Sequence, residues 1–279
     1  MNIISKSINT LKRSRRWIKD IYANRNLIIN LANSDFKMRY AASYLGTFWA
    51  FVQPVVNVII YIFVFQFGFR AIPPTSDVPY GLWMIAGMVP WFFIFEALIN
   101  ATNSLIEYSY LVKKVVFKMS ILPIVKIITA LYVHLFFIAL AIIVYLFGYK
   151  LDIHIIQVFY YTFAATVLVL GISYFTSSVV IFFRDLAQVI NIMLQFLMWL
   201  TPILWSIETM EYIPTSVYWV FKLNPIYYIT EGYRDAFING IWFWEKPTWT
   251  IYFWCFTVAV GLIGTFTFKR LEKHFADVL

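Results

Sequence analysis

The side chains that could do chemistry in this chain of 279 residues are few and scattered. His134, His154 and His274 stand far apart, without the HExxH-type spacing that brings two imidazoles onto one helix face for a metal. None of the ten glycines falls in a GxxxxGK[ST] arrangement, so no phosphate-cradling loop is present and the chain is not expected to hydrolyse ATP by itself. Cys255 is alone, which excludes disulfides and cysteine-rich metal sites. No Ser/His/Asp set or pair of carboxylates shares a common place in the sequence pattern, although a cluster assembled only in space stays open. The expectation is a chain that is no enzyme on its own and binds no cofactor or metal.

The elements that must position these residues are set by a different solvent. Between Ala41 and Phe69 there is no charged residue, and similar apolar runs follow. With 62% hydrophobic, 21% aromatic and 13% charged residues and a mean hydropathy of +0.75, too little polar surface remains for a water-soluble globule. A helix needs about 20 apolar residues to cross hydrocarbon, because its backbone must satisfy its own hydrogen bonds there. Six segments qualify: 47–69, 80–104, 127–149, 155–181, 186–207 and 247–268. The expected fold is therefore an all-α integral membrane protein of six transmembrane helices, residues 47–268, followed by a tail, 269–279. Tyr212 to Thr230 is apolar but carries Pro214, Lys222 and Pro225, so a re-entrant or surface hairpin is expected there instead of a straight span.

Charge sets the orientation. Seventeen of the 22 Lys and Arg residues lie in the N-terminal arm (1–46), the second and fourth connections and the tail. The other five, Arg70, Lys150, Lys222, Arg234 and Lys246, share the opposite ends with seven acids. Both termini are expected in the cytoplasm. The net charge of +8 follows from this topology, and nucleic-acid binding is not expected. The first forty residues are charged and lack a compact apolar core, so no cleavable signal peptide is expected.

Four features then stand out. Residues 20–40 mix Ile28, Leu31, Phe36 and Met38 with Arg25, Asp35, Lys37 and Arg39, the pattern of a helix lying in the cytoplasmic interface. The connection from Glu107 to Ser120 places Leu111, Val115 and Met119 near one helical face and Lys114 and Lys118 near another, as in a helix that docks on a partner. Aromatic residues are dense within the spans, including Trp49, Tyr61, Phe63, Trp91, Phe93, Phe196 and Trp199, which suits sugar rings or lipid as well as helix packing. Glu96 would cost ~2.5–3.5 kcal/mol at mid-membrane, so it should face protein, water or a partner.

Several stretches carry a family likeness: Tyr44-Leu-Gly-Thr-Phe-Trp49 with Pro54, Trp83-Met-Ile-Ala-Gly-Met-Val-Pro-Trp-Phe-Phe93, Phe183-Arg-Asp185, Asn224-Pro-Ile-Tyr-Tyr-Ile-Thr-Glu-Gly-Tyr-Arg234 and Phe275-Ala-Asp-Val-Leu279. In this order and spacing the chain resembles the permease subunit of ABC-2-type polymer exporters from about residue 25 to the end. It is most similar to wall teichoic acid export permeases, with O-antigen and capsule export permeases next. The resemblance implies a homodimer in the bacterial cytoplasmic membrane, each copy bound to a separate ATPase subunit that carries ATP and Mg. It implies an amphipathic helix over 23–40, a coupling helix over 107–120 and outer re-entrant helices over 208–240. It implies also a conduit lined by the first, second and fifth spans of both copies.

The expected roles follow. Glu107, Leu111, Lys114, Val115, Lys118, Phe36 and Arg39 would couple to the ATPase. Trp49, Tyr61, Phe63, Trp91, Phe196 and Trp199 would line the conduit. Asn224, Tyr228, Glu231 and Arg234 would form an outer gate, in which an exposed Glu231–Arg234 pair is worth only ~0.3–0.5 kcal/mol to folding. Arg184 and Asp185 would make a cytoplasmic turn. The expected function is ATP-driven export of a lipid-linked glycopolymer, first of all teichoic acid. Alternatives are O-antigen or capsule export, small-drug or lipid efflux, and a membrane-embedded glycosyl- or acyltransferase.

Overall fold

The computed structural model describes residues 21–39, 41, 44–71, 78–113, 118–207 and 214–279, with only the backbone of 215–217 and 276. Every regular element among the described residues is helical: α1 Arg25–Arg39, α2 Trp49–Ile62, α3 Tyr80–Glu107, α4 Ser109–Val112, α5 Ile121–Gly148, α6 Gln157–Val180, α7 Leu186–Leu200, α8 Thr215–Lys222, α9 Pro225–Arg234, α10 Pro247–Leu271 and α11 Phe275–Val278. Five helical stretches are long and apolar enough to cross a membrane: Gly46–Gly68, Tyr80–Glu107, Ile121–Gly148, Ile153–Val180 and Pro247–His274. The expected span at 186–207 is shorter as a helix. α7 has 15 residues, about 22 Å at 1.5 Å per residue, against ~30 Å of hydrocarbon. Pro202 is the reason: it disfavours helical backbone at the residue before it, and Thr201 is extended with ψ 130°.

α3 is the central post, with both Pro90 and most of its side chains buried. α5, α6, α7 and α9 pack around it. α6 and α10 lie almost backbone to backbone, because Gly171 faces Gly261 and Gly264, and a Cβ on Gly264 would run into the Gly171 carbonyl. Small residues at such a crossing replace the hydrophobic force that lipid cannot supply. α1 docks through Ile28 and Ala32 onto Ile121 and Val125 of α5, which leaves Leu27, Ile29 and Met38 exposed. α2 is covered least: between Gly46, whose φ of +54° needs glycine, and Gly68, only Ala50 is buried.

The connection after α3 differs from the single helix expected over 107–120. Tyr108 leaves helical geometry (φ −100°, ψ 28°), α4 is one turn, and Met119 and Ser120 form a turn before α5. At this break the buried Tyr108 hydroxyl donates to Asp35 Oδ1 at 2.8 Å, a tertiary contact that holds the residue outside helical geometry. Lys114 and Val115 lie outside the described residues. The stretch after α7 is not a straight span: α8 and α9 are broken at Leu223–Asn224, and 208–213 lie outside the described residues.

Candidate functional site

Trp49, Gln53, Asn57 and Tyr61 recur every fourth residue and so form one stripe along α2. That stripe faces Trp91, Glu96 and Asn100 of α3 and Gln195 and Trp199 of α7 across a partly open cavity of about 550 Å3, with Arg39 of α1 at its edge. Amide groups and indole rings alternate on the wall, and a cavity of this size is in the range that holds organic ligands. Four of the six residues expected in the conduit, Trp49, Tyr61, Trp91 and Trp199, line it. Phe63 and Phe196 do not, and are 66% and 65% exposed. Helical phase explains this: Phe196 is one residue, ~100°, from Gln195, and Phe63 is two residues, ~200°, from Tyr61.

Glu96, at the cavity wall, accepts a hydrogen bond from Arg39 Nη1. Arg39 Nη2 is 3.6 Å from Asp35 Oδ2, and Asp35 Oδ1 accepts from Lys126 Nζ at 2.6 Å and from the Tyr108 hydroxyl at 2.8 Å. Lys126 Nζ also donates to Glu107 Oε2 at 2.5 Å. The row Glu96–Arg39–Asp35–Lys126–Glu107 therefore alternates in sign and ties α1 to α3 and α5. Alternation matters, since Asp35 and Lys126 side chains are only 8% and 5% exposed and either charge alone would be costly there. Burial, and then the Asp35 hydrogen bond, push the Tyr108 phenol far above its usual range, so it stays a donor.

The residues expected to meet an ATPase divide accordingly. Arg39 and Glu107 belong to this row, with Glu107 still half exposed. Phe36 packs edge-on against Phe51 and Tyr132. Leu111 is half-buried beside Tyr108 and Val112, and Lys118 is exposed. Nothing in the sequence pointed to Lys126 or Asp35 as partners, because they are 91 residues apart.

At the other end, Asn224 caps α9: its Oδ1 accepts from the Ile226 N–H at 3.0 Å, while its Nδ2 donates to Thr201 Oγ1 at 2.7 Å. Arg234 was expected in an exposed pair, but the structure buries it to 2%. Its Nη1 donates to Pro202 O at 2.8 Å and to Glu231 at 2.6 Å, its Nη2 donates to Ile203 O at 2.8 Å, and its guanidinium lies 3.5 Å from the Trp83 ring centroid. The cause is the stop at Pro202, which leaves carbonyls without helical donors. Asp235 turns away from this pair to Lys246, at 2.5 Å. The buried Tyr228 hydroxyl meets those of Tyr160 and Thr250 at 3.1 and 3.0 Å. Arg184 and Asp185 are exposed in the turn between α6 and α7.

His134 acts as a bond between helices, with Nε2 2.8 Å from the Tyr233 hydroxyl and 3.3 Å from that of Thr162. Among the described residues no three His, Cys, Asp or Glu side chains gather as a metal site.

Long apolar helices packed on α3, with a polar, ring-lined cavity between α2, α3 and α7, define a polytopic membrane protein with room for an organic ligand. Residues 26–238 match the model of the ABC-2 type transporter family, and the chain belongs to that family. Among its relatives, two proteins from Klebsiella pneumoniae described as O-antigen export system permease protein RfbA are 28% and 27% identical, each over 91% of this chain and 95% of the relative. A protein of the same description from Myxococcus xanthus is 22% identical over 80% of this chain and 84% of its own length. The chain is a multi-pass protein of the bacterial inner membrane.

Proposed function

We propose that this chain is the permease of an ATP-driven exporter of lipid-linked polysaccharide, working as a homodimer with two separate ABC ATPase subunits that carry the ATP and Mg. The observation that carries the reading is the cavity between α2, α3 and α7. Its aromatic faces and amides suit sugar rings, which present apolar faces and hydroxyl edges. A second copy is supported by the two helices that flank this cavity. α2 and α7 leave Gln53, Gln188 and Gln195 exposed together with Phe63, Ile192 and Phe196. Lipid has no partners for the amides, whereas a facing copy or a wet conduit does.

In this reading α7 with 201–207 is the fifth of six crossings, and the basic arm and tail face the cytoplasm. The relatives' names favour an O-antigen type of polymer over the teichoic acid expected from the sequence. The row of charges gives the ATPase a route to the cavity: a push on Glu107 and α4 reaches Glu96 through Lys126, Asp35 and Arg39. The permease itself is without catalytic activity in this scheme.

The test is to reconstitute the chain with its cognate ATPase in vesicles, supply lipid-linked polysaccharides of O-antigen and teichoic acid type, and identify which crosses on ATP hydrolysis. ATP-dependent movement of an O-antigen-type glycolipid is the expected result. Movement of small amphiphiles with no glycopolymer would refute it.

A further inference from the structure

A second cavity, of about 150 Å3, lies between α6, α8, α9 and the first turn of α10. It is separate from the main cavity and shares none of its lining residues. Three kinds of group meet there: the rings of Trp249 and Tyr228, the carboxylates of Glu231 and Asp235, and the ammonium groups of Lys222 and Lys246.

These groups are held in place by partners that leave much of their bonding capacity unspent. Asp235 accepts from Lys246 at 2.5 Å and from Asn239 at 2.9 Å, and Glu231 accepts from Arg234 at 2.6 Å. An ionised carboxylate has about four lone-pair sites and an ammonium three donors, so acceptors and donors remain to be shared. Lys222 Nζ sits 4.3 Å from the centre of the Tyr218 ring and 5.5 Å from that of Trp249. Two carboxylates and two ammonium groups line the pocket, and Arg234 stands behind Glu231 as its partner, so any ligand meets both signs on the wall. A polyanion has to approach the two carboxylates as closely as the ammonium groups. A neutral polyhydroxylated ring gains more, because its hydroxyls donate to the carboxylates and accept from the ammonium groups while its apolar face lies on an indole.

We infer that this pocket is a carbohydrate subsite which takes a single neutral sugar residue of the polymer at the extracytoplasmic mouth of the permease. The assignment of the polymer and of the outer side rests on the export reading above. The pocket is small and partly open, so one sugar ring enters while its neighbours along the chain stay outside. Weak, single-residue grip suits a chain that must keep moving.

The experiment is saturation-transfer NMR on the purified permease in nanodiscs without ATPase. The probes are N-acetyl-D-glucosamine, D-galactose and D-mannose, with inorganic phosphate as competitor. At least one sugar receives saturation from the wild type. Trp249→Leu and Lys222→Met each weaken that binding by about fivefold, while Phe147→Leu, on a side chain 91% exposed, matches the wild type. Silence from all three sugars, unchanged transfer in both variants, or displacement by phosphate overturns the proposal. Variants are judged only with a wild-type gel-filtration profile, and Lys222→Met decides should Trp249→Leu fail to fold. Failure of the export reading looks different: wild-type sugar binding persists, but no glycopolymer crosses in the vesicle assay.

Discussion

Replacing Lys126 with Met removes the centre of the row of charges while keeping the volume of the side chain. The ammonium group lies 2.6 Å from Asp35 and 2.5 Å from Glu107, and is 5% exposed. Its loss leaves Asp35, 8% exposed, with only the Tyr108 hydroxyl at 2.8 Å and Arg39 at 3.6 Å. Breaking a buried pair from one side costs ~3–5 kcal/mol, and these two remaining contacts place the cost at the lower end, about 3 kcal/mol. For a chain of this size that corresponds to a fall in Tm of about 6–12 °C. Glu107 adds little, since water already reaches it. The assay is a thermal melt in detergent followed by fluorescence-detected gel filtration. The double variant Asp35→Asn, Lys126→Met removes both buried charges and regains most of the loss, because no uncompensated carboxylate remains. A Tm within about 2 °C of wild type for Lys126→Met alone would refute the reasoning. So would a double variant whose loss exceeds that of Lys126→Met.

Three further outcomes are expected. Arg234→Gln forfeits charged hydrogen bonds to two carbonyls, each worth ~1.5–3 kcal/mol, so it lowers the abundance of folded permease on gel filtration; wild-type abundance with altered transport would return the residue to a gate. Gly232→Ala sets a methyl group against the Tyr161 ring, an overpacking that costs ~1–3 kcal/mol and shows as a lower Tm. Trp199→Ala reduces polymer export more than it reduces protein abundance, whereas Phe147→Ala, far out on the surface, changes neither; export per molecule, scored by polymer at the cell surface against immunoblot, separates the two cases.

Five long helices were legible because each satisfies its backbone internally and so needs only an unbroken apolar run, which sequence shows directly. α7 was read too long because the apolar character of 201–207 continued past Pro202, while the backbone rule for Thr201 was already in the sequence. The stripe Trp49, Gln53, Asn57, Tyr61 was equally available as a period of four, and it separates cavity residues from Phe63. Glu96 was expected to seek protein or water, and it does, but its partner Arg39 could not be read because no periodicity relates an interfacial helix to a span 57 residues on. Lys126 looked like one more positive charge in a cytoplasmic connection. Arg234 looked solvated for a similar reason: carbonyls stranded by a proline 32 residues earlier leave no mark on its own surroundings.

The docking of α1 has a consequence for how the chain is made. Asp35 meets its ammonium partner only 91 residues later in the sequence. Ribosomes adding ~5–20 residues per second need about 5–18 s to supply it. During that interval α1 can lie on the membrane surface but cannot settle into its final seat, and by the time Lys126 emerges the first two spans have already been made. The seating of α1 thus waits until the third span has begun to emerge.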